Sequence, residues 1–238
     1  MLKEGLEYLF GKVQANKLDV RGLPYSDKAL TIIETPLADE VRVETLGALV
    51  ALATAGLDGL EPDKCFAQVS NASTVRLNSL LADEFGNRRC FVAAIVSNPC
   101  PFIFWRFHEP EQFIIGLQSC FVEDPALKSL LALCSSLTAE NVAVAEDDGV
   151  SQVATLRSGI ALKSNKKIEP KVKLRPFRTF REIEQPASTF LFRLRSRDGA
   201  PPECALFEAD GGAWLLEAVK NIGGYLRREL PEGTEIIF

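Results

Sequence analysis

An α+β fold with antiparallel or mixed sheets is what this sequence predicts, and three observations carry the prediction. An amphipathic helical pattern opens the chain. Strand-like runs lie on both sides of a central helical pair. One long amphipathic helix and a short strand close it, so strands and helices do not alternate as they would in βαβ units. With 238 residues, 47% of them hydrophobic and 25% charged, the chain is long and apolar enough for a sizeable core.

The elements follow in order. Residues 2–15 place Leu2, Leu6, Leu9, Phe10 and Val13 on one side of a helix. The run ALTIIE, 29–34, reads as a short strand, and 45–55 as a small-residue helix closed by Gly56. Strands are expected at 65–69, 74–80 and 90–96, with EFGNRR as the turn between the last two. Pro110 starts a helical pattern containing Phe113, Ile114, Leu117 and Phe121. Asp124 and Pro125 supply an N-cap and a first-turn proline for a second helix through Leu137. The short link predicts an antiparallel pair, placed as a hinge between two halves.

Further strands are expected at 141–145, 153–162, 171–174, 189–197 and 203–208. A helix at 213–229 carries Trp214, Leu215, Val219, Ile222, Tyr225 and Leu226 on its apolar face. Gly223 and Gly224 weaken its middle by about 1 kcal/mol each relative to alanine. A last strand occupies 234–238. The organisation is thus an N-terminal α+β part (1–108), the helical pair (109–138) and a β-rich part with one helix (139–238), or one continuous domain.

Composition excludes several classes. The longest uncharged apolar-rich stretch, 46–57, falls far short of the roughly 20 residues a membrane span needs. The first residues, MLKEGLEYLFGK, have charges throughout and no apolar core of a signal peptide. Cys65, Cys90, Cys100, Cys120, Cys134 and Cys204 form no CxxC pair and read as small core residues rather than a disulfide framework. Zinc is not expected from scattered cysteines and one histidine. There is no P-loop and no dinucleotide fingerprint, so no cofactor is expected.

Candidate chemistry is sparse. His108, the only histidine, stands beside a helix start with no nucleophile next to it in sequence, and reads as a packed or capping residue rather than a catalytic one. Glu208 and Asp210 precede Gly211-Gly212 at a strand-to-helix junction. Such carboxylates could hold Mg²⁺ in a hydrolase, but a cap at the N-terminus of the following helix explains Asp210 as well. Glu146, Asp147, Asp148 and Gly149 read as a solvated hairpin turn.

The positive signal is electrostatic. The chain's formal charge is −5, yet residues 163–197 hold eleven basic residues against Glu169, Glu182 and Glu184, about +8, leaving about −13 elsewhere. In KVKLRPF, Lys171, Lys173 and Arg175 fall at spacing two; in FRLRSR, Arg193, Arg195 and Arg197 do the same. That spacing puts each trio on one face of a strand, with Phe192, Leu194 and Ser196 on the other face of the second. Six cations on one sheet face would need anions: phosphates, or carboxylates of another subunit. Arg178 and Arg181 interleave with Phe177 and Phe180, a pattern that suits stacked bases or acidic strands. The alternative is a solvated face bridged to Glu182 and Glu184.

The segment LRPFRTFREIEQPASTFLFRLR, 174–195, resembles an uncharacterised family of phage and prophage proteins typified by YfdQ. FWRFHEPEQFIIGLQ (104–118) and ALFEADGGAWL (205–215) fit the same family, and the resemblance covers roughly the C-terminal 60% of the chain. It implies phage or prophage origin and action in the bacterial cytoplasm, and it implies no catalytic residue. Three functions follow as expectations. The first is a non-enzymatic, self-assembling homo-oligomer that uses the basic face for subunit contact, its final strand free to extend a neighbour's sheet. The second is a nucleic-acid-binding accessory factor in phage replication or recombination. The third is a metal-dependent hydrolase built on Glu208 and Asp210.

Overall fold

The computed structural model describes residues 2–13, 15–20, 23–26, 28, 38–81, 87–97, 100–139, 141–147, 152–158, 161–197 and 200–238. The chain divides into two compact units, Met1–Ala38 and Asp39–Phe238. The first holds helix α1 (Leu2–Val13) and an antiparallel hairpin of β1 (Lys17–Val20) and β2 (Leu23–Ser26). On α1, Leu6, Leu9 and Phe10 are exposed. The hairpin is not among the sequence expectations; the strand expected at 29–34 lies outside the described residues.

In the second unit the order is β3 (Val41–Val43), α2 (Leu46–Ala55), β4 (Cys65–Asn71), β5 (Thr74–Ser79), β6 (Cys90–Ile95), α3 (Pro110–Cys120) and α4 (Pro125–Ala139). There follow β7 (Asn141–Asp147), β8 (Gln152–Ser158), β9 (Ala161–Ile168), β10 (Lys171–Leu174), β11 (Ser188–Arg197), β12 (Ala200–Glu208), α5 (Ala213–Glu229) and β13 (Glu235–Ile237). The fold is α+β, as the element pattern predicts. Among the described residues no helix is long and apolar enough to cross a membrane.

Local chemistry sets the helix ends. The Thr45 hydroxyl accepts from the Ala48 N–H at 3.2 Å, and Gly56 closes α2 in the left-handed region (φ 63°) that glycine occupies without strain. The Asp124 carboxylate accepts from the Leu127 N–H at 2.8 Å, so the expected cap of α4 is present. The single strand expected at 153–162 is instead the hairpin β8–β9. In the expected acidic turn, Glu146 and Asp147 belong to β7, and Asp148 and Gly149 lie outside the described residues.

Two cores result. In the first, α3 and α4 cover one face of the antiparallel sheet β10-β11-β12, burying Phe113, Leu117, Leu130, Phe190, Phe192 and Leu206. In the second, α2 and α5 cover the mixed sheet β13-β4-β5-β6-β3, burying Leu49, Ala67, Leu77, Ile222 and Leu226. The final strand β13 pairs in parallel with β4, Ile236 opposite Ala67, and forms one edge of the five-stranded sheet. Local parallel pairing with an antiparallel meander is invisible to period-two patterning, which carries no direction.

Glycine packing separates two positions that the sequence treats alike. A Cβ on Gly116 of α3 would come within 2.7 Å of the Phe102 ring, which Phe104, Phe113 and Phe121 hold in place. Gly116→Ala is expected to lower stability by about 1–2 kcal/mol in urea unfolding, in spite of alanine's better helix propensity. A Cβ on Gly223 would meet the Phe238 ring at 2.6 Å, but that ring is half exposed and can turn aside. Gly223→Ala is expected to be near neutral in the same measurement.

Candidate functional site

The segment 175–187, between β10 and β11, is where the two cores meet. It makes no regular structure, so its backbone groups need individual partners. On the first core, the Val122 N–H donates to the Arg175 carbonyl (2.8 Å) and the Phe177 N–H to the Cys120 carbonyl (2.9 Å). On the second, Phe180 and Ile183 are buried beside α2 and α5. The Thr179 hydroxyl donates to the Ala72 carbonyl, and the Asn221 amide to the Glu184 carbonyl at 3.1 Å. Glu182 accepts from the Gly47 N–H at 3.2 Å, placing a carboxylate at the N-terminus of α2 where the helix dipole favours it. Gln185, itself buried, ties the segment internally. Its Oε1 accepts from the Arg178 and Thr179 N–H groups (3.2 and 3.4 Å), and its Nε2 donates to the Phe180 and Ile183 carbonyls (2.8 and 3.3 Å).

Arg178 is the electrostatic centre of this junction. Its guanidinium bonds Glu208 and Ser188 and lies 4.0 Å from the Trp214 ring centroid, with Phe104 and Phe190 at 5.6 and 5.7 Å. Burial pushes the guanidinium below its ordinary value, against the opposing pull of Glu208 and Asp210. Burial also works against the Asp210 carboxylate, but the Ser188 hydroxyl, the Gly212 N–H and the Arg178 charge hold it below its ordinary 3.8. Asp210 accepts from the Gly212 N–H at 3.0 Å, a turn leading into α5; the N-cap position itself is Gly212. Glu208 and Asp210 thus face an arginine. Among the described residues no three His, Cys, Asp or Glu side chains come together to hold a metal ion.

The remaining basic residues divide by register. Lys171 stands opposite Leu191 and Lys173 opposite Thr189, while Arg193 and Arg195 lie beyond the end of β10, opposite Ala205 and Glu203 of β12. All four share the face turned away from α3 and α4. Staggering keeps like charges from sitting directly across from one another. Lys171 and Lys173 are exposed. The Arg195 Nε donates to Glu203 at 3.0 Å, and its guanidinium covers the Phe107 ring at 4.3 Å. Arg197 continues β11 opposite Ala200; its side chain lies outside the described part. Arg175 does not join the face, because β10 ends at Leu174; it bridges Asp124 (3.5 Å) and Glu184 (3.3 Å). Arg181 is exposed and lies 3.9 Å over Phe177.

Beside Arg193 the same face carries a groove of about 360 Å³, lined by Trp105, Phe107, Leu191, Phe207 and Glu208 among others. Phe207 meets Trp105 and Phe107 edge-on, with centroids 5.4 and 5.9 Å apart. Trp105 is 64% exposed and has a left-handed backbone, φ 64°. That conformation costs a non-glycine residue about 1–2 kcal/mol. It is held by the bond from the Trp105 N–H to the Leu206 carbonyl, 2.9 Å, as the loop 100–109 runs along β12. The sequence reading missed this groove. Trp105 lies in a dense aromatic run, FIFWRF, which was the available signal, but its backbone angle and its meeting with Phe207 need the fold.

His108 is packed. Its Nε2 donates to the Ile103 carbonyl at 2.8 Å, its ring lies against Phe102, and its backbone bridges Cys204. All six cysteines are free thiols, and four are buried. Burial and the neighbouring Cys120 push Cys100 up to about 12, and burial with Glu40 pushes Cys90 up to about 11, which suits packing groups and not nucleophiles.

Comparison with protein-family models, with curated proteins and with solved structures finds no match to this chain.

Proposed function

We propose that this protein is a non-enzymatic, self-associating protein, and that the groove-bearing face of the β10-β11-β12 sheet is its subunit contact. The observation that carries the reading is the exposed Trp105, held in a strained backbone beside Arg193 and Phe207. Tryptophan and arginine in a partly apolar hollow are the composition of interface hot spots. Arg175, Arg178 and Arg195 already have carboxylate partners, which lowers the charge available for neutralising a phosphate backbone and supports a protein partner over nucleic acid. A second copy supplies the complementary charge, since residues outside 163–197 carry about −13. The resemblance of 174–195 adds the expectation of a phage or prophage protein acting in the bacterial cytoplasm.

Size-exclusion chromatography with light scattering tests this. The expected result is an oligomer at micromolar concentration and low salt that shifts toward monomer as salt rises, and in Trp105→Ala at any salt. A monomer under all conditions removes the reading. Quenching of tryptophan fluorescence by single-stranded DNA, falling steeply with salt, would instead support the nucleic-acid reading, which the exposed Lys171 and Lys173 on the same face favour.

A further inference from the structure

The two outer edges of the β10-β11-β12 sheet differ. Along β12, the loop 100–109 supplies partners: the His108 N–H donates to the Cys204 carbonyl, the Cys204 N–H returns the bond, and Trp105 bonds Leu206. Beyond the N-terminal end of β10, the Gln152 side chain completes the ladder of β11, accepting from the Leu194 N–H at 2.8 Å and donating to its carbonyl at 2.9 Å. Along β10 nothing comparable is present among the described residues. The Phe192 N–H donates to the Pro170 carbonyl, so residues 170, 172 and 174 turn their backbone groups toward β11. Those of Lys171 and Lys173 therefore point outward, two residues apart, which is the repeat an added strand needs.

A groove of about 420 Å³ runs between this edge and α4. Ala126, Leu130 and Leu133 form its helical wall, Val172 its strand wall and Phe192 its floor. An open strand edge beside a helix-walled apolar groove is the geometry of strand addition. Backbone bonds hold the incoming chain, and alternate side chains enter the groove. The other alternate side chains would pass the exposed ammonium groups of Lys171 and Lys173. Lysines on an edge repel cationic strands, disfavour wholly apolar ones that would desolvate the ammonium groups without a counter-charge, and admit acidic ones.

We propose that the open edge of β10 binds an extended segment of a partner protein in which acidic and apolar residues alternate. Among the described residues no strand of this chain pairs with the outer side of β10, and the two edge lysines match an acidic strand, which commits the occupant to a partner protein of that chemistry.

The test uses the whole chain and a fluorescein-labelled peptide of alternating glutamate and valine, with binding followed by anisotropy and amide exchange by NMR. Binding is expected to slow exchange at the Lys171 and Lys173 amides. The double variant Lys171→Glu, Lys173→Glu is expected to raise the Kd about tenfold, and a lysine–valine peptide to bind wild type about tenfold more weakly. Lys173→Pro removes an outward N–H without breaking a bond to β11, and is expected to abolish binding while leaving the circular dichroism spectrum unchanged. Unchanged exchange at the two amides overturns the proposal, as does equal binding of the lysine–valine peptide or wild-type affinity in a folded Lys173→Pro. Protection of the same amides by raising the protein concentration alone would assign the edge to a second copy and also overturns it.

Discussion

Arg178→Met is expected to lower the unfolding free energy by about 3 kcal/mol, measured by urea denaturation. The side chain is 10% exposed, and its partner Glu208 is 32% exposed. Methionine keeps much of the volume against Trp214 and Phe190, so the loss reports charge and hydrogen bonding more than a cavity. Glu208 and Ser188 lose their donor, and Asp210 loses a cation that helps to keep it ionised. The pH dependence has a defined sign. Asp210 has a folded value below its ordinary 3.8, so its contribution is complete above that pH and is lost as pH falls through the folded value. The gap between wild type and variant is therefore expected to narrow on acidification below 3.8. Arg178→Lys is expected to recover little, because an ammonium neither forks between Glu208 and Ser188 nor stacks on an indole. A loss in Arg178→Met below about 1 kcal/mol, the range of exposed ion pairs, would show that water replaces the guanidinium at little cost.

Gln185→Met is expected to cost a similar amount, about 3 kcal/mol. Methionine has nearly the same length and shape and no amide. The substitution strips partners from the N–H groups of Arg178 and Thr179 and from the carbonyls of Phe180 and Ile183. Leaving buried backbone groups unsatisfied costs more than a made bond contributes, which is why the predicted loss is large for one neutral side chain. Urea unfolding gives the size of the effect, and faster amide exchange at Arg178 and Thr179 would locate it. Because both substitutions loosen one segment, the double variant is expected to lose less than the sum of the two. Strict additivity would mean that Gln185 and Arg178 act on separate parts of the molecule.

The helix signals were legible because they are local. Thr45 and Gly56 bound α2, Asp124 caps α4, and Pro110 starts α3, each through contacts within one turn. The alternation of Phe192, Leu194 and Arg193, Arg195 gave the buried and outward faces of β11 correctly, since a strand's period needs no partner. The break between β8 and β9 escaped because the residues on either side of it both read as strand. The three-residue β3 escaped because it is too short to show a period.

The basic stretch shows where local reading ends. Its composition and spacing by themselves put Lys171 with Lys173, and Arg193 with Arg195, on one face of a strand each, and the β10–β11 register brings the two pairs to one side of the sheet. Only the tertiary structure decided which of the cations remain outward and which are answered by carboxylates. Arg175 meets Asp124 and Glu184, Arg178 meets Glu208, and Arg195 meets Glu203. Glu203 lies across the β11–β12 register, and Glu208 is brought to Arg178 by the segment that joins the two cores. The physical reason is that a charge acts through distance in space, whereas the sequence records only distance along the chain.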